Sequence, residues 1–293
     1  MENPDTADVD QYFKSRIGDA DIDFRLAQLD PNGNPTTGIE RIVSAETNIG
    51  DDGSKLNPWP RDKYMNIWVV KNVDGAAAYT YRPPSVMMSS AAGIDGIIAN
   101  YSYLGEGERT LTHEIGHWLN LYHTWGSGNT PGQTANCNLD DQVTDTPVTQ
   151  GTGNGSCDTN QITCGSLDNV HNYMDYSSCI AGMFTEGQVG RIRAAATSNV
   201  AQRNNLWTEA NLIATGLFNA GAEFSAPYAE VCVGAEVLFS DESFGGIHTW
   251  EWSFPGATPS TSVLKNPTVV YNISGSHDVI LTASNDTASY TIV

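Results

Sequence analysis

With 293 residues, 40% of them hydrophobic and 16% charged, the chain is long enough for one large domain and a small one, and its composition excludes wholesale disorder. A formal net charge of −20 repels nucleic-acid phosphates and anionic lipid, which sets both aside as partners. No run of about 18 apolar residues exists to cross a membrane, and the acidic start MENPDTADVD lacks signal-peptide character, so it reads as the start of a processed or engineered form.

The first 105 residues read as α/β material. A short helix is expected over residues 9–17, then extended runs at 22–29, 65–73, 76–82 and 96–103. The run AAAYTYRPP ends in a double proline, which suits an edge strand or a strand end. Residues 109–122 predict a helix with Leu111, Ile115, Trp118 and Tyr122 in one apolar stripe and His113 and His117 on the other side. The following stretch, to residue 170, is rich in Gly, Asn, Asp, Thr and Ser; a structureless loop of that length is uncommon unless it is functional or stapled. Cys137, Cys157, Cys164 and Cys179 fall in or beside it. They form no CxxC pair, which argues against a zinc ribbon and for two disulfides in an oxidising compartment. A second helix follows, with Thr185 as N-cap, Gln188 three residues on, then Val189, Ile192 and Ala196. From residue 223 to 293 short alternating runs separated by Gly, Pro, Asn and Ser predict a small β-sandwich. Trp250 and Trp252 alternate and are expected to face its core. The boundary falls near 218, giving domains 1–217 and 218–293. Cys232, between Val231 and Val233, is expected to be a small core residue.

The chemistry concentrates in HEIGHWLNLYH. His113 and His117, four residues apart, share a helix face and can grip one ion. Glu114 follows the first ligand and can reach a metal-bound water without ligating the metal, as a general base must. On a continuous helix His123 would lie about 240° round from His117 and about 9 Å further along. The helix must therefore break between them, and Asn120, tolerant of a left-handed backbone, stands where the break is needed. Three imidazoles, one base and an open fourth position describe a catalytic zinc site; four protein ligands would describe a structural one.

These residues resemble a known family. HEIGHWLNLYH is close to the metzincin signature HExxHxxGxxH, with Asn120 in place of Gly, and Asn172-Tyr173-Met174-Asp175-Tyr176 resembles the metzincin Met-turn. Together with HTWG, DTP, DNVHNYMDY and MFTEGQVGRIR they resemble the bacterial branch of the pappalysins over roughly residues 20–215. The C-terminal stretches VCVGAEVLFSDES and DVILTASND are similar to a PKD-type module. The resemblance implies an α+β metzincin-like zinc peptidase domain, with a twisted sheet, an active-site helix, a Met-turn and a C-terminal helix, followed by an all-β immunoglobulin-like sandwich. It implies that His113, His117 and His123 bind zinc, that Glu114 is the base, that Met174 floors the metal, and that Tyr176 stabilises the transition state.

Residues 140–147 offer hard oxygens of the kind calcium favours. The resemblance implies a calcium site there, with Asp141, Thr144 and Thr146 best matching its ligands and Asp145 among them. His171, beside the Met-turn, is expected to be structural or solvent-facing. Spacing leaves three cysteine pairings open; the resemblance implies Cys137–Cys164 and Cys157–Cys179, with Cys232 free. Close family members that demand Arg after the cleaved bond carry an acid just before the cysteine that follows the Met-turn. Ser178 stands there instead, which predicts a less strictly basic specificity, since a buried Arg needs a paired acid. The expectation is a secreted, monomeric zinc endopeptidase that uses a zinc-bound water and a glutamate base on proteins or peptides. The rival is a non-catalytic extracellular binding or adhesion protein stabilised by metal; the intact Glu114 and the open coordination position argue against it.

Overall fold

The computed structural model describes residues 6, 8–105, 107–218, 221–228, 230–285 and 288–293. The chain divides into two compact units, Met1–Asn211, which is mixed α+β, and Leu212–Val293, which is β apart from the end of the helix Glu209–Thr215.

The strands of the first unit are β1 (Ile17–Gly18), β2 (Ile67–Val70), β3 (Ala78–Thr80), β4 (Ile97–Asn100) and β5 (Phe184–Thr185). The helices that frame the site are α1 (Thr110–Trp118) and α2 (Glu186–Ala196). β4 is the centre of a three-stranded sheet, parallel to β2 and antiparallel to β3. Its Ile97, Ile98 and Ala99 are fully buried, as the continuous apolar run of a central strand requires. β3 forms the edge, and Pro83-Pro84 end it by withholding two ladder donors. Sheet, helices and Met-turn meet in one core: Ala78, Ile97 and Ala99, then Ile115, Trp118 and Leu121, then Met174, then Ile192 and Ala195. α2 begins with the expected capping box, in which Thr185 Oγ1 accepts from Gln188 N and Gln188 Oε1 accepts from Thr185 N.

Behind α1 a buried ion pair ties distant segments together. Arg203 donates to both carboxylate oxygens of Asp95 at 2.8 and 2.7 Å and lies 3.8 Å over Trp118, whose indole N–H also reaches Asp95. The long loop is stapled by Cys137–Cys164 and Cys157–Cys179. Side chains substitute for missing secondary structure within it: Asn136 donates to the carbonyls of Thr130 and Gln150, and Asp168 accepts from Gln161 and Thr163.

Three expectations need correction. Residues 9–17 form turns and a 3₁₀ turn at Lys14–Arg16 instead of a helix, because Asp10 Oδ1 takes the Tyr12 amide in an Asx turn. Val9 and Phe13 are nonetheless buried against Ala181 and Met183. Among the described residues, 22–29 join no ladder beyond an isolated Leu29–Pro35 bridge; Asp23 and Arg25, paired at 2.6 Å, interrupt the apolar pattern there. Cys232 is free, as expected, but exposed, outside the sandwich core.

That core belongs to the second unit. Its strands are β6 (Phe224–Ser225), β7 (Glu236–Leu238), β8 (Ser240–Asp241), β9 (Thr249–Ser253), β10 (Ala257–Thr258), β11 (Thr261–Ser262), β12 (Thr268–Tyr271), β13 (Ile280–Ser284) and β14 (Ser289–Ile292). Two sheets, ordered β10-β12-β7 and β11-β9-β13-β14, pair antiparallel throughout. Val237, Phe239, Trp252, Phe254, Val269 and Leu281 fill the space between them, and Trp250 packs partly buried against the same cluster.

Candidate functional site

The site is built on the end of α1. Asn120 takes the left-handed backbone conformation, with φ 72°. The amide of Leu121 donates to Gly116 O and that of Asn120 to His117 O, both at 2.8 Å, which is the Schellman pattern that ends a helix. Arg191 Nε on α2 donates to Asn120 O at 2.7 Å and ties the turn down. The chain then doubles back and carries His123 to His113 and His117.

The ligand atoms of these three histidines lie within 4.8 Å of one another, with His117 Nε2 and His123 Nε2 3.0 Å apart. Each Nδ1 faces a backbone carbonyl: His113 that of Tyr173 at 2.7 Å, His117 that of Leu121 at 2.9 Å, His123 that of Gly128 at 2.8 Å. A carbonyl can only accept, so each Nδ1 carries the proton and each Nε2 offers its lone pair. Burial, the largest cause, holds His117 down to about 4 and His123 down to about 3, and His113 well below its ordinary range. All three are therefore neutral at pH 7 and ready to ligate. Three imidazoles in this arrangement suit a borderline-soft cation such as zinc.

Gly116 shows how closely the floor approaches. A Cβ there would meet Met174 Sδ at 2.4 Å, so the fourth residue of HEIGH has no room for a side chain. Met174 is fully buried beneath the histidines' helix.

Glu114 is 6% exposed, and burial pushes its carboxyl up to about 8. The charge of Lys55 and a hydrogen bond from the backbone of Thr80 on β3 oppose that rise. Lys55 is itself buried, donates to Ile94 O at 2.9 Å, pairs with Asp52 at 3.0 Å, and lies 4.6 and 4.9 Å from the Tyr79 and Tyr81 rings. The Tyr176 ring lies 4.9 Å from that of His123, 5.4 Å from His113 and 4.8 Å from Trp125. Burial, followed by the charge of Glu114, pushes its phenol up to about 12, so it stays a donor at any working pH.

The Met-turn is held by Arg109, which the sequence did not single out. At the start of α1, its buried guanidinium donates to Ser177 Oγ at 2.8 Å and to the carbonyls of Ser177, Cys179, His171 and Asn172. These acceptors bracket Met174 and Tyr176 on both sides. Trp125, also unforeseen, stacks on His123 at 4.4 Å and donates to the Gly128 carbonyl that orients it. A partial signal existed for Arg109, since the chain has only 14 Lys and Arg residues and this one directly precedes the motif helix. His171 is buried, not solvent-facing, with Nδ1 3.4 Å from Ala181 O.

In the acidic loop Asp141 and Thr146 come together. Thr146 Oγ1 lies 2.7 and 2.8 Å from the two Asp141 oxygens and 2.7 Å from Val143 O. Burial pushes Asp141 up to about 7, and Asp140 beside it adds to the rise. Thr144 is exposed on the same turn. Asp145 turns elsewhere: its carboxylate accepts from Thr185 Oγ1 at 2.6 Å and from Gly187 N at 2.8 Å, which makes it an anionic cap for α2.

The family model described as pregnancy-associated plasma protein-A matches residues 48–197, and a PKD-domain model matches residues 221–291. An extracellular metalloprotease of Sordaria macrospora is 37% identical over 143 residues, covering 44% of this chain and 47% of that protein. One of Colletotrichum graminicola is 32% identical over 187 residues, covering 58% and 60%. The matched part thus spans about half the length of these curated relatives. Among solved structures, Tannerella forsythia mature mirolysin in complex with a cleaved peptide superposes with a TM-score of 0.59 at 31% identity, covering 74% of this chain and 84% of that one. Mirolysin in complex with compound 9 gives a TM-score of 0.61 at 30% identity, covering 74% and 85%. With its histidine motif, Met-turn and long stapled loop all inside the matched region, the chain belongs to the pappalysin family of metallopeptidases.

Proposed function

We propose that this chain is a secreted zinc endopeptidase acting on proteins or peptides. The observation that carries the reading is the convergence of three neutral imidazoles, each oriented by a backbone carbonyl, beside a buried carboxylate at Glu114. His113, His117 and His123 would hold the metal, which supplies Lewis acidity and lowers the pKa of water when bound. Glu114 accepts a proton from the attacking water as its oxygen adds to the scissile carbonyl carbon. It then returns the proton to the nitrogen as the C–N bond breaks. A carboxyl pushed up towards neutrality can serve both halves of that transfer. The Tyr176 hydroxyl donates to the carbonyl oxygen as negative charge grows there. The substrate backbone adds to β3, an edge strand whose Thr80 amide faces Glu114.

The same reading gives the acidic loop a calcium ion, held by Asp141, Thr144 and Thr146. One hydroxyl proton cannot satisfy three oxygens within 2.8 Å of Thr146 Oγ1, so this oxygen-rich cluster favours a cation. Asp145 is left to α2. Two disulfides and relatives named as extracellular support secretion. Casein digestion by the purified chain tests the function: it should stop on chelation and return with added zinc. Digestion indifferent to chelators, or none at all with zinc bound, would overturn the reading.

A further inference from the structure

We propose that Arg82, backed by Arg191, forms a carboxylate-recognising subsite beside the metal-binding histidines. It selects substrates with an acidic side chain on the amino-terminal side of the cleaved bond. This rests on the peptidase reading and goes beyond it to specificity.

The chain carries 34 Asp and Glu residues against 14 Lys and Arg, so a surface cation has acids to spare around it. Yet among the described residues neither Arg82 nor Arg191 forms a salt bridge. Both lie against one ring: the guanidinium carbon of Arg82 is 3.7 Å from the centre of Tyr122, and that of Arg191 is 4.9 Å away. Tyr122 stands between Leu121, whose carbonyl orients His117, and His123 itself. Arg191 is held by neutral acceptors, Asn120 O at 2.7 Å and Gln142 Oε1 at 3.4 Å. Two guanidiniums with no salt bridge among the described residues therefore lie against the ring of the residue that precedes the third histidine, and the charge of Arg82 reaches His117 and His123. Contact with the Tyr122 ring and hydrogen bonds to its hydroxyl hold both guanidiniums in place, which lowers the entropy lost when a carboxylate is gripped.

Direction follows from β3. Arg82 lies two residues beyond Thr80, whose amide faces Glu114, and Pro83-Pro84 stiffen the backbone just after it. A peptide added antiparallel, the more stable pairing, runs opposite to β3. Residues preceding the scissile bond then approach the end of β3 that leads into Arg82. An Arg fork matches a carboxylate bidentately, so Glu or Asp is the expected side chain.

The test uses peptides cleaved by the zinc-loaded chain, with Glu, Ala or Lys at each of the three positions before the bond. The parent should show kcat/KM about tenfold higher for Glu than for Ala at one of these positions, the size of one hydrogen bond to a charged group. R82Q should bring that ratio close to one, and R82E should invert it in favour of Lys, with thermal midpoints recorded to show that both fold. If R82E fails to fold, the R82Q ratio decides alone. Equal handling of Glu and Ala by the parent, or a Glu preference that survives in R82Q, overturns the subsite and reduces the arginines to packing around Tyr122. Chelator-sensitive cleavage of the Ala peptide separates the two readings: with it, failure of the Glu preference sinks the subsite alone; without it, both fall.

Discussion

At the scale of single residues, Glu114 and Tyr176 divide the proposed chemistry between a proton carrier and a donor. Glu114 is not a ligand, so Glu114→Gln should keep zinc bound and the fold intact while turnover falls by about 10²–10⁴, the range for loss of a positioned acid–base group. Zinc content by atomic absorption and kcat on one peptide check both halves; activity within a few-fold of the parent would remove the base from the mechanism. For Tyr176→Phe the expected loss is in kcat, by about 10²–10³, with KM little changed, because the hydroxyl acts where charge develops. Its raised phenol pKa adds a sign: no loss of activity from Tyr176 ionisation is expected below about pH 12. An unchanged kcat would leave the ring as packing against His113, His123 and Trp125.

At the scale of elements, the end of α1 decides whether a third histidine can arrive. The turn needs a left-handed residue, and Asn120 supplies it with φ 72°. Asn120→Gly should therefore fold and bind zinc as well as the parent. Asn120→Ala keeps a Cβ in the left-handed region but loses the short polar side chain that makes Asn tolerant of it, at a cost within the about 1–2 kcal/mol that this region imposes, so its thermal midpoint should fall by a few degrees and its zinc affinity with it. Zinc titration of both variants is the check, and equal affinities would show that the turn does not position His123. Arg109 works across elements in a way no local pattern announces: its acceptors lie more than sixty residues away in the chain, as the separations of 62 to 70 show.

For the molecule as a whole, the long acidic loop links stability to pH and, on the proposed reading, to calcium. Asp141 rises from its ordinary 3.8 to about 7 in the fold, chiefly through burial. Between those values the folded chain holds a proton that the unfolded chain has released, so without metal this group makes stability fall as pH rises from about 4 to about 7. Calcium requires the ionised form, so it should raise the thermal midpoint at pH 8 and do little at pH 5. At a hundredfold excess over its dissociation constant the gain is about 2.7 kcal/mol, several degrees for a unit of this size. Calorimetry at the two pH values, with zinc held constant, measures it; an equal response at both would detach Asp141 from the site.

Much of this was legible in the order of residues, wherever the physics is local. Spacing of i and i+4 puts His113 and His117 on one face, Asn120 breaks the helix before His123, and Thr185 with Gln188 starts α2; each depends on neighbours within a turn or two. Alternation likewise marked the strands of the second unit. The irregular segments were not legible: Asp10 captured an amide and replaced a helix by turns, and Asp145, which looks like a calcium ligand beside Asp141, serves as a cap for α2 some forty residues on. Tyr176 entered through resemblance, because nothing local distinguishes it from a buried tyrosine. The sequence by itself determined the metal motif and the family, since short-range geometry and residue chemistry suffice for both. Only the tertiary structure decided that the Tyr173 carbonyl holds the His113 imidazole, that Arg109 clamps the Met-turn, and that Arg82 and Arg191 meet over Tyr122 with no salt bridge to either among the described residues, because those contacts join residues that chain order keeps far apart.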